Sequence, residues 1–351
     1  MKVLYLTKYS RNGASSRLRS YQYFPFLEKN GINVTVRPFF DENYLINLYS
    51  GKQTSKWKHL KFYLNRFFIL FTIYKYQRIV IEKELFPYFF SWFEKILQLL
   101  KVKYIVDYDD AIFHNYDLSE NKIVSFLLKN KINNVMRYSG CVVAGNDYLT
   151  QRAKFSGAKK VIKLPTVIDI DSYSVRKKSK SSKIVIGWIG SPSTFKYISK
   201  SKSIFLELLR KFDVELHIVG VTEGLCMGPN VKYLNWTEDT EVDLISNFDI
   251  GIMPLDDSPW ELGKCSYKLI QYMGCGVAAV ASPIGMNKDV VIEGEDGFFA
   301  STPEEWLAKL SLLIEDANLR NFLGNNGRRK IESNYCLQNS ISTVISIIRN
   351  G

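Results

Sequence analysis

The chain has 351 residues, enough for two domains that each bury a core, and its 46% apolar and 23% charged composition excludes disordered and collagen-like chains. The net charge of +12 is unevenly spread: residues 1–170 carry 27 basic and 13 acidic side chains (+14), residues 171–182 carry 4 and 1 (+3), and residues 183–351 carry 16 and 21 (−5). A basic half joined to a mildly acidic half predicts two domains with different partners.

Five cysteines, Cys141, Cys226, Cys265, Cys275 and Cys336, form no C-x-x-C pair and no metal-type spacing, so small buried thiols in a reducing compartment are expected. Met1-Lys2 followed by the short apolar run Val3 to Leu6 does not read as a secretion signal. The most apolar stretch, Phe67 to Tyr74, is only eight residues long and cannot span a bilayer.

Along the chain, short β-branched runs alternate with longer helix-like segments. The runs at 2–7, 32–37, 78–83, 103–108, 141–145 and 161–165 are nearly continuous in apolar residues, as strands are when helices cover both faces of a parallel sheet. After the polar, basic stretch 165–183, the rhythm restarts at 183–190, 214–220, 231–234, 248–254, 277–282 and 297–300. Two βα series separated by one linker predict two doubly wound α/β domains. Ser301-Thr302-Pro303-Glu304-Glu305 then reads as a helix start, with Leu307, Leu310, Leu312 and Leu313 as its apolar face. Residues 336–350 read as a terminal helix whose Ile341, Val344, Ile345 and Ile348 must pack on something.

In open α/β sheets the ligand lies beyond the carboxyl ends of the strands. After the first strand, Gly13, Ser15, Arg17 and Arg19 enter a helix in a setting suited to an anion. The second series opens the same way, with Gly190, Ser191, Thr194 and Lys196 suited to phosphate. The next strand ends at Gly220 without an acid for a ribose hydroxyl, which argues against a dinucleotide dehydrogenase. A helix expected to start near Lys264 would put Lys264 and Lys268 on one face of its positive end, where an anion is needed to offset them.

The segment DIGIMPL, then WELGKCSYKLIQYMGCGVAAVASPIG, then EDGFFA and the TPEEW helix, is similar to the donor half of GT-B glycosyltransferases of the family 4 type. The first-strand loop, KLPTVIDIDSY and GWIGSPST fit as well, so the resemblance covers nearly the whole chain. It implies a GT-B fold of two Rossmann-like domains facing across a cleft: an acceptor-binding domain at 1–168, a linker at 169–182, and a donor-binding domain at 183–335, with the helix 336–351 returning to the first domain. It implies a retaining, metal-independent transfer from a nucleotide-diphosphate sugar to a saccharide or lipid-linked acceptor, in bacterial polysaccharide biosynthesis, with no cofactor. The donor would meet Gly190, Ser191, Thr194, Lys196, Gly220, Lys264, Ser266 and Lys268, besides Gly13, Ser15 and Arg17 of the first domain.

The chain departs from the family at one point. Of two glutamates usually eight residues apart, the second falls at Gln271 and the first at Gly263; Glu261 is the nearest acid that would substitute. This departure keeps open a GT-B nucleotide-sugar epimerase or a non-catalytic partner of an assembly complex. Asp109, Asp110 and Glu84 follow strands and would face an acceptor, with loop-capping carboxylates the alternative; Lys83 and Glu84 would otherwise pair with each other. His114 resembles, loosely, the family histidine near the reacting carbon. Asp107-Tyr108-Asp109 also spells the D-x-D of the unrelated GT-A enzymes, which a second complete βα series does not fit.

Residues 52–104 interleave lysines with aromatics, a pattern suited to an anionic membrane surface, to stacked single-stranded nucleic acid, or to helices packed on a sheet. No nucleic-acid module is present in the sequence, so a cytoplasmic protein held peripherally on the inner face of the membrane is expected.

Overall fold

The structure is a computed structural model describing residues 1–49, 52, 54–175, 183–222, 224 and 226–351. It divides into two compact units, one of Met1–Thr166, Leu262–Cys265 and Ser340–Gly351, the other of Val167–Glu261 and Ser266–Asn339. Residues 176–182 of the expected linker lie outside the described residues.

The first unit holds β1 (Lys2–Leu6), β2 (Asn33–Val36), β3 (Arg78–Glu82), β4 (Tyr104–Tyr108), β5 (Cys141–Ala144) and β6 (Val161–Lys163). They form one parallel sheet in the order β2-β1-β3-β4-β5-β6. Val3 to Leu6, Ile79 to Ile81 and Tyr104 to Val106 are buried, which is why these strands read as unbroken apolar runs. The order reverses between β1 and β3, so the loops leaving their carboxyl ends diverge and open a crevice there.

The second unit holds β7 (Ile184–Ile189), β8 (Val214–Val219), β9 (Val231–Leu234), β10 (Ile250–Met253), β11 (Ala278–Ala281) and β12 (Phe298–Phe299). This parallel sheet has the order β12-β11-β10-β7-β8-β9, with its reversal between β7 and β10. Its core runs from Trp188, Ile218 and Ile252 to Leu310, Leu313 and Leu323 of the helices Pro303–Glu315 and Ala317–Asn334.

Thr302 and Glu305 form a reciprocal capping box at the helix start expected there, which satisfies donors that the first turn leaves open. Of the expected apolar face, Leu310 and Leu313 are buried, but Leu312 is exposed and Trp306 and Ile314 take its place inside. The terminal helix Leu337–Asn350 turns Val344, Ile347 and Ile348 inward. Within the first unit, Arg78 donates from Nε to Ile348 O (3.1 Å) and from Nη2 to Arg349 O (3.0 Å), tying down the last carbonyls of that helix.

Candidate functional site

At the reversal point of the first sheet, the ends of β1, β3 and β4 bring four charged side chains together. Lys83 Nζ lies 2.9 Å from Asp109 Oδ1 and 3.9 Å from Asp110 Oδ2. Ser15 Oγ donates to Asp109 Oδ2 and lies 3.2 Å from Glu82 Oε1, while Ser16 Oγ (2.6 Å) and the Lys8 N–H (3.0 Å) donate to Glu82 Oε2. Lys83 holds a left-handed backbone, φ +69°, where a side chain is strained, and its N–H donates to Asp107 O at 3.0 Å. The bend carries the Lys83 side chain into the carboxylate cluster as β3 ends.

The electrostatics of this cluster divide its carboxylates. Burial opposes charge on Asp109, but the Lys83 ammonium and the hydroxyl of Ser15 outweigh it and hold the carboxyl at about 2. Asp110 is pushed up by burial and by the neighbouring Asp109 charge, against the pull of Lys83, Lys264 and Lys8. Glu82 is also pushed up, by burial above all, and Lys8 is pushed down by burial and by Lys83. Asp110 retains 34% side-chain exposure against 12% for Asp109, and Glu82 is buried, so Asp110 is the carboxylate most open to a ligand.

The loop after β1 differs from the expected anion cradle, because the hydroxyls of Ser15 and Ser16 are committed to carboxylates. Arg17 is buried in the helix Ala14–Arg19, and Arg19 makes a two-pronged bond to Asp107 (2.9 and 2.6 Å) plus one to Leu164 O. Gly13 is required for close approach, since a Cβ there would lie 2.4 Å from Tyr9 Cβ. With Asp107 bound to Arg19 and Asp109 to Lys83, the D-x-D carboxylates each have a cation partner, and no cluster of three metal-ligating side chains occurs among the described residues.

Glu84 and His114 stand apart from this cluster. Glu84 accepts from Tyr116 Oη (2.9 and 2.7 Å) and pairs with buried Lys131, so it does not pair with Lys83. His114 has Nδ1 2.7 Å from Asp117 Oδ1 and Nε2 2.8 Å from Tyr148 Oη, and Asp117 is held in turn by Arg152 at 2.8 Å. The sequence reading singled out none of Glu82, Lys8, Lys131, Tyr148 and Asn146 as site residues. Glu82, Lys8 and Asn146 had a signal, their position at or just past strand ends.

The segment around Lys264 also departs from expectation. The helix runs from Tyr267 to Gly274, because Ser266 takes a left-handed conformation (φ +51°) and ends the preceding loop. Lys264 therefore lies outside the helix, and the two lysines do not share a helical face. Within the first unit, Asn146 Nδ2 donates to Leu262 O (3.1 Å) and Lys264 O (3.0 Å), and Cys265 Sγ donates to Asp109 O (3.1 Å). Gly263 packs on Ala111, where a Cβ would come within 2.4 Å of the alanine Cβ and 2.5 Å of its nitrogen. The family's first glutamate has no room at this position.

In the second unit, the strand ends of β7 and β8 meet through glycine. Gly220 has φ +90°, and a Cβ on it would sit 2.3 Å from Gly190 O. A Cβ on Gly190 would strike Trp188 at 2.4 Å and Thr194 Oγ1 at 2.7 Å. Lys268, in the first turn of the helix Tyr267–Gly274, lies with Nζ 5.8 Å from the centre of the same Trp188 ring. The Ser266 hydroxyl points to Asn287 Oδ1 (2.7 Å) and does not cap the helix. A glycine turn and a helix start with a lysine thus flank one indole, an arrangement suited to a diphosphate. Ser191 contacts Ser193 and Thr194 in that turn.

Lys196 Nζ is 3.9 Å from Glu261, whose buried carboxylate also accepts from Tyr197 Oη and Ser258 Oγ. Glu261 is accordingly engaged inside the unit. Gln271 is buried as well, with Nε2 donating to Tyr173 Oη at 3.0 Å, and that hydroxyl donates to Glu241 at 3.1 Å.

Residues 183–316 match the family model described as Glycosyl transferases group 1. An uncharacterized glycosyltransferase of Methanocaldococcus jannaschii is 37% identical over 86 residues, 24% of this chain and 22% of the relative. The capsular polysaccharide biosynthesis glycosyltransferase CapM of Staphylococcus aureus is 24% identical over 175 residues, 46% of this chain and 44% of CapM. The matched segments span less than half the length of either curated relative. Two solved structures are similar over the full chain: sucrose-phosphate synthase from Thermosynechococcus elongatus (TM-score 0.72, 11% identity, 99% of this chain and 98% of that one) and Anabaena HepE in complex with UDP-glucose (TM-score 0.72, 15% identity, 100% of both). WaaG, a glycosyltransferase involved in lipopolysaccharide biosynthesis, is similar with a TM-score of 0.69 at 12% identity, over 100% of both chains. The two parallel sheets are those of the GT-B fold.

Proposed function

We propose, from the membership of residues 183–316 in the glycosyl transferases group 1 and the GT-B fold of the whole chain, that this protein is a retaining glycosyltransferase of polysaccharide assembly. Its donor is a nucleotide-diphosphate sugar and its acceptor a saccharide or a lipid-linked saccharide, met in the cytoplasm. The observation that carries the donor reading is the convergence of the Gly190 turn and the Lys268 helix start on Trp188. A diphosphate there is offset by the Lys268 ammonium and the positive end of the helix, which act more strongly as charge builds on the leaving oxygen. These groups belong to the chain, so the reading requires no metal ion.

In the proposed reaction, the bond from the anomeric carbon to the diphosphate oxygen breaks, and the acceptor hydroxyl oxygen bonds to the same face of that carbon. The acceptor proton leaves with the departing diphosphate, and no protein nucleophile is required. Asp110, reachable and surrounded by Lys83, Lys8 and Lys264, is suited to orient the acceptor hydroxyl.

The test is calorimetric titration of UDP and GDP into the wild type and Lys268→Ala. Binding of one nucleotide, weakened by about tenfold or more in the variant, is the expected result. Failure of any nucleoside diphosphate to bind would overturn the reading. An epimerase would convert the donor without an acceptor, so product analysis with and without acceptor separates that alternative.

A further inference from the structure

We propose that the helices Lys56–Leu70 and Trp92–Leu99 of the first unit form one face that seats the protein on an anionic membrane surface. On the first helix and the residue after it, Trp57, Leu60, Leu64, Phe68 and Phe71 are spaced by 3, 4, 4 and 3 residues, a single helical stripe, and all are exposed. The helix buries the opposite side, at Phe62 and Arg66. Trp92, Ile96 and Leu99 repeat the pattern on the second helix, and they too are exposed, while Leu97 and Glu94 face inward. Scattered exposed apolar residues are ordinary on a protein surface; two complete outward stripes are not.

Ring contacts join the two stripes. Phe67 lies 5.2 Å from Phe71 and 5.9 Å from Phe93; Phe93 lies 6.0 Å from Phe89, which lies 5.7 Å from Trp92. Phe68 joins through Phe67 at 5.8 Å, so Phe68 and Phe71 of the first stripe and Trp92 of the second belong to one aromatic seam.

Charge identifies the occupant. Residues 43–106 contain only three acids, Glu82, Glu84 and Glu94, and each is turned inward, at 3%, 7% (side chain) and 1% exposure. Lys56, Lys61 and Lys75 are exposed around the first stripe, and Lys95, Lys101 and Lys103 around the second. Apolar rings ringed by lysines match a layer of anionic headgroups over acyl chains, the lysine stems lying along the apolar surface. A second copy of the same face would set lysines against lysines. No helix among the described residues is long and apolar enough to cross a membrane, so this face lies in the plane of the interface.

The full chain is sedimented with phosphatidylcholine vesicles with and without phosphatidylglycerol, at low and high salt. Binding is expected only with phosphatidylglycerol, and weakened by salt. Trp57→Ser combined with Phe68→Ser is expected to lower partitioning about tenfold or more. Phe155→Ser, at another exposed aromatic position in the same unit, is expected to bind like wild type. Equal partitioning of the stripe variant and wild type would overturn the proposal, and so would absence of wild-type binding. A wild-type dimer that the stripe variant disperses, or an oligonucleotide bound in solution and lost with the same substitutions, would overturn it too. The inference does not rest on the transfer reaction: nucleotide binding in solution is expected to be the same in both proteins, and its absence from both would sink only the proposed activity.

Discussion

Lys83 and Asp109 form a buried ion pair, 2.9 Å between Nζ and Oδ1, made by a lysine whose own backbone is left-handed. The pair lies where the sheet order reverses between β1 and β3, so the strain is stored where a ligand site is expected. Lys83 is pushed above its ordinary value because the charges of Asp109, Asp110 and Glu82 outweigh its burial.

Removing the cation leaves the carboxylates facing one another. Lys83→Met is predicted to destabilise the protein by about 3–5 kcal/mol, the usual consequence of orphaning a buried charge. Asp109, held at about 2 in the native protein against an ordinary 3.8, contributes stability above pH 3.8 that is lost as pH falls toward 2. In Lys83→Met that acid limb should move to higher pH, as urea unfolding from pH 2 to 7 would reveal.

Glu94 carries the opposite sign. Burial raises its carboxyl to about 6 from an ordinary 4.5, although Lys131 and the Leu85 N–H, 3.1 Å from Oε1, favour the charge. The folded state binds the extra proton between these values, so this group's cost to stability grows from pH 4.5 to pH 6 and is complete above it. Glu94→Gln is predicted to gain up to about 2 kcal/mol at pH 7 and nothing below pH 4.5, measured by denaturant unfolding at both pH values.

Restoring the family glutamate should fail. A Cβ at residue 263 meets the Ala111 backbone nitrogen at 2.5 Å, which cannot swing away as a flexible side chain would. Gly263→Ala and Gly263→Glu are both predicted to lower stability by about 1–3 kcal/mol, and neither to raise turnover. A faster Gly263→Glu enzyme would show that the loop Leu262–Cys265 adopts another position.

At the family's second position, the amide of Gln271 donates to Tyr173 Oη while that hydroxyl donates to Glu241. A carboxylate cannot donate to that hydroxyl and adds a negative charge to the same buried group. Gln271→Glu is predicted to cost about 1–3 kcal/mol near neutral pH, with partial recovery on acidification, as thermal unfolding at two pH values would test.

The two parallel sheets were legible in the amino-acid pattern, because strands covered on both faces must be apolar throughout, and Val3 to Leu6 and Ile250 to Met253 are such runs. So was the capped start at Thr302, where Pro303 and Glu305 act within one turn. Strand ends located Asp109, Asp110 and Gly190 as site candidates, since the topology of open α/β sheets restricts ligands to that edge.

Which charges face which was not legible there and emerged with the folded chain. Lys83 and Glu84 are adjacent in sequence, yet the left-handed turn at Lys83 sends one to Asp109 and the other to Lys131, 47 residues away. Lys264 and Lys268 have the spacing of a helical pair, and a single backbone angle at Ser266 separates them. The basic charge of residues 1–170 was countable from composition, but its gathering around two outward aromatic stripes depended on which helix faces the sheet had already taken. Local pattern records what each residue can do, whereas long-range pairing depends on the path of the chain between partners.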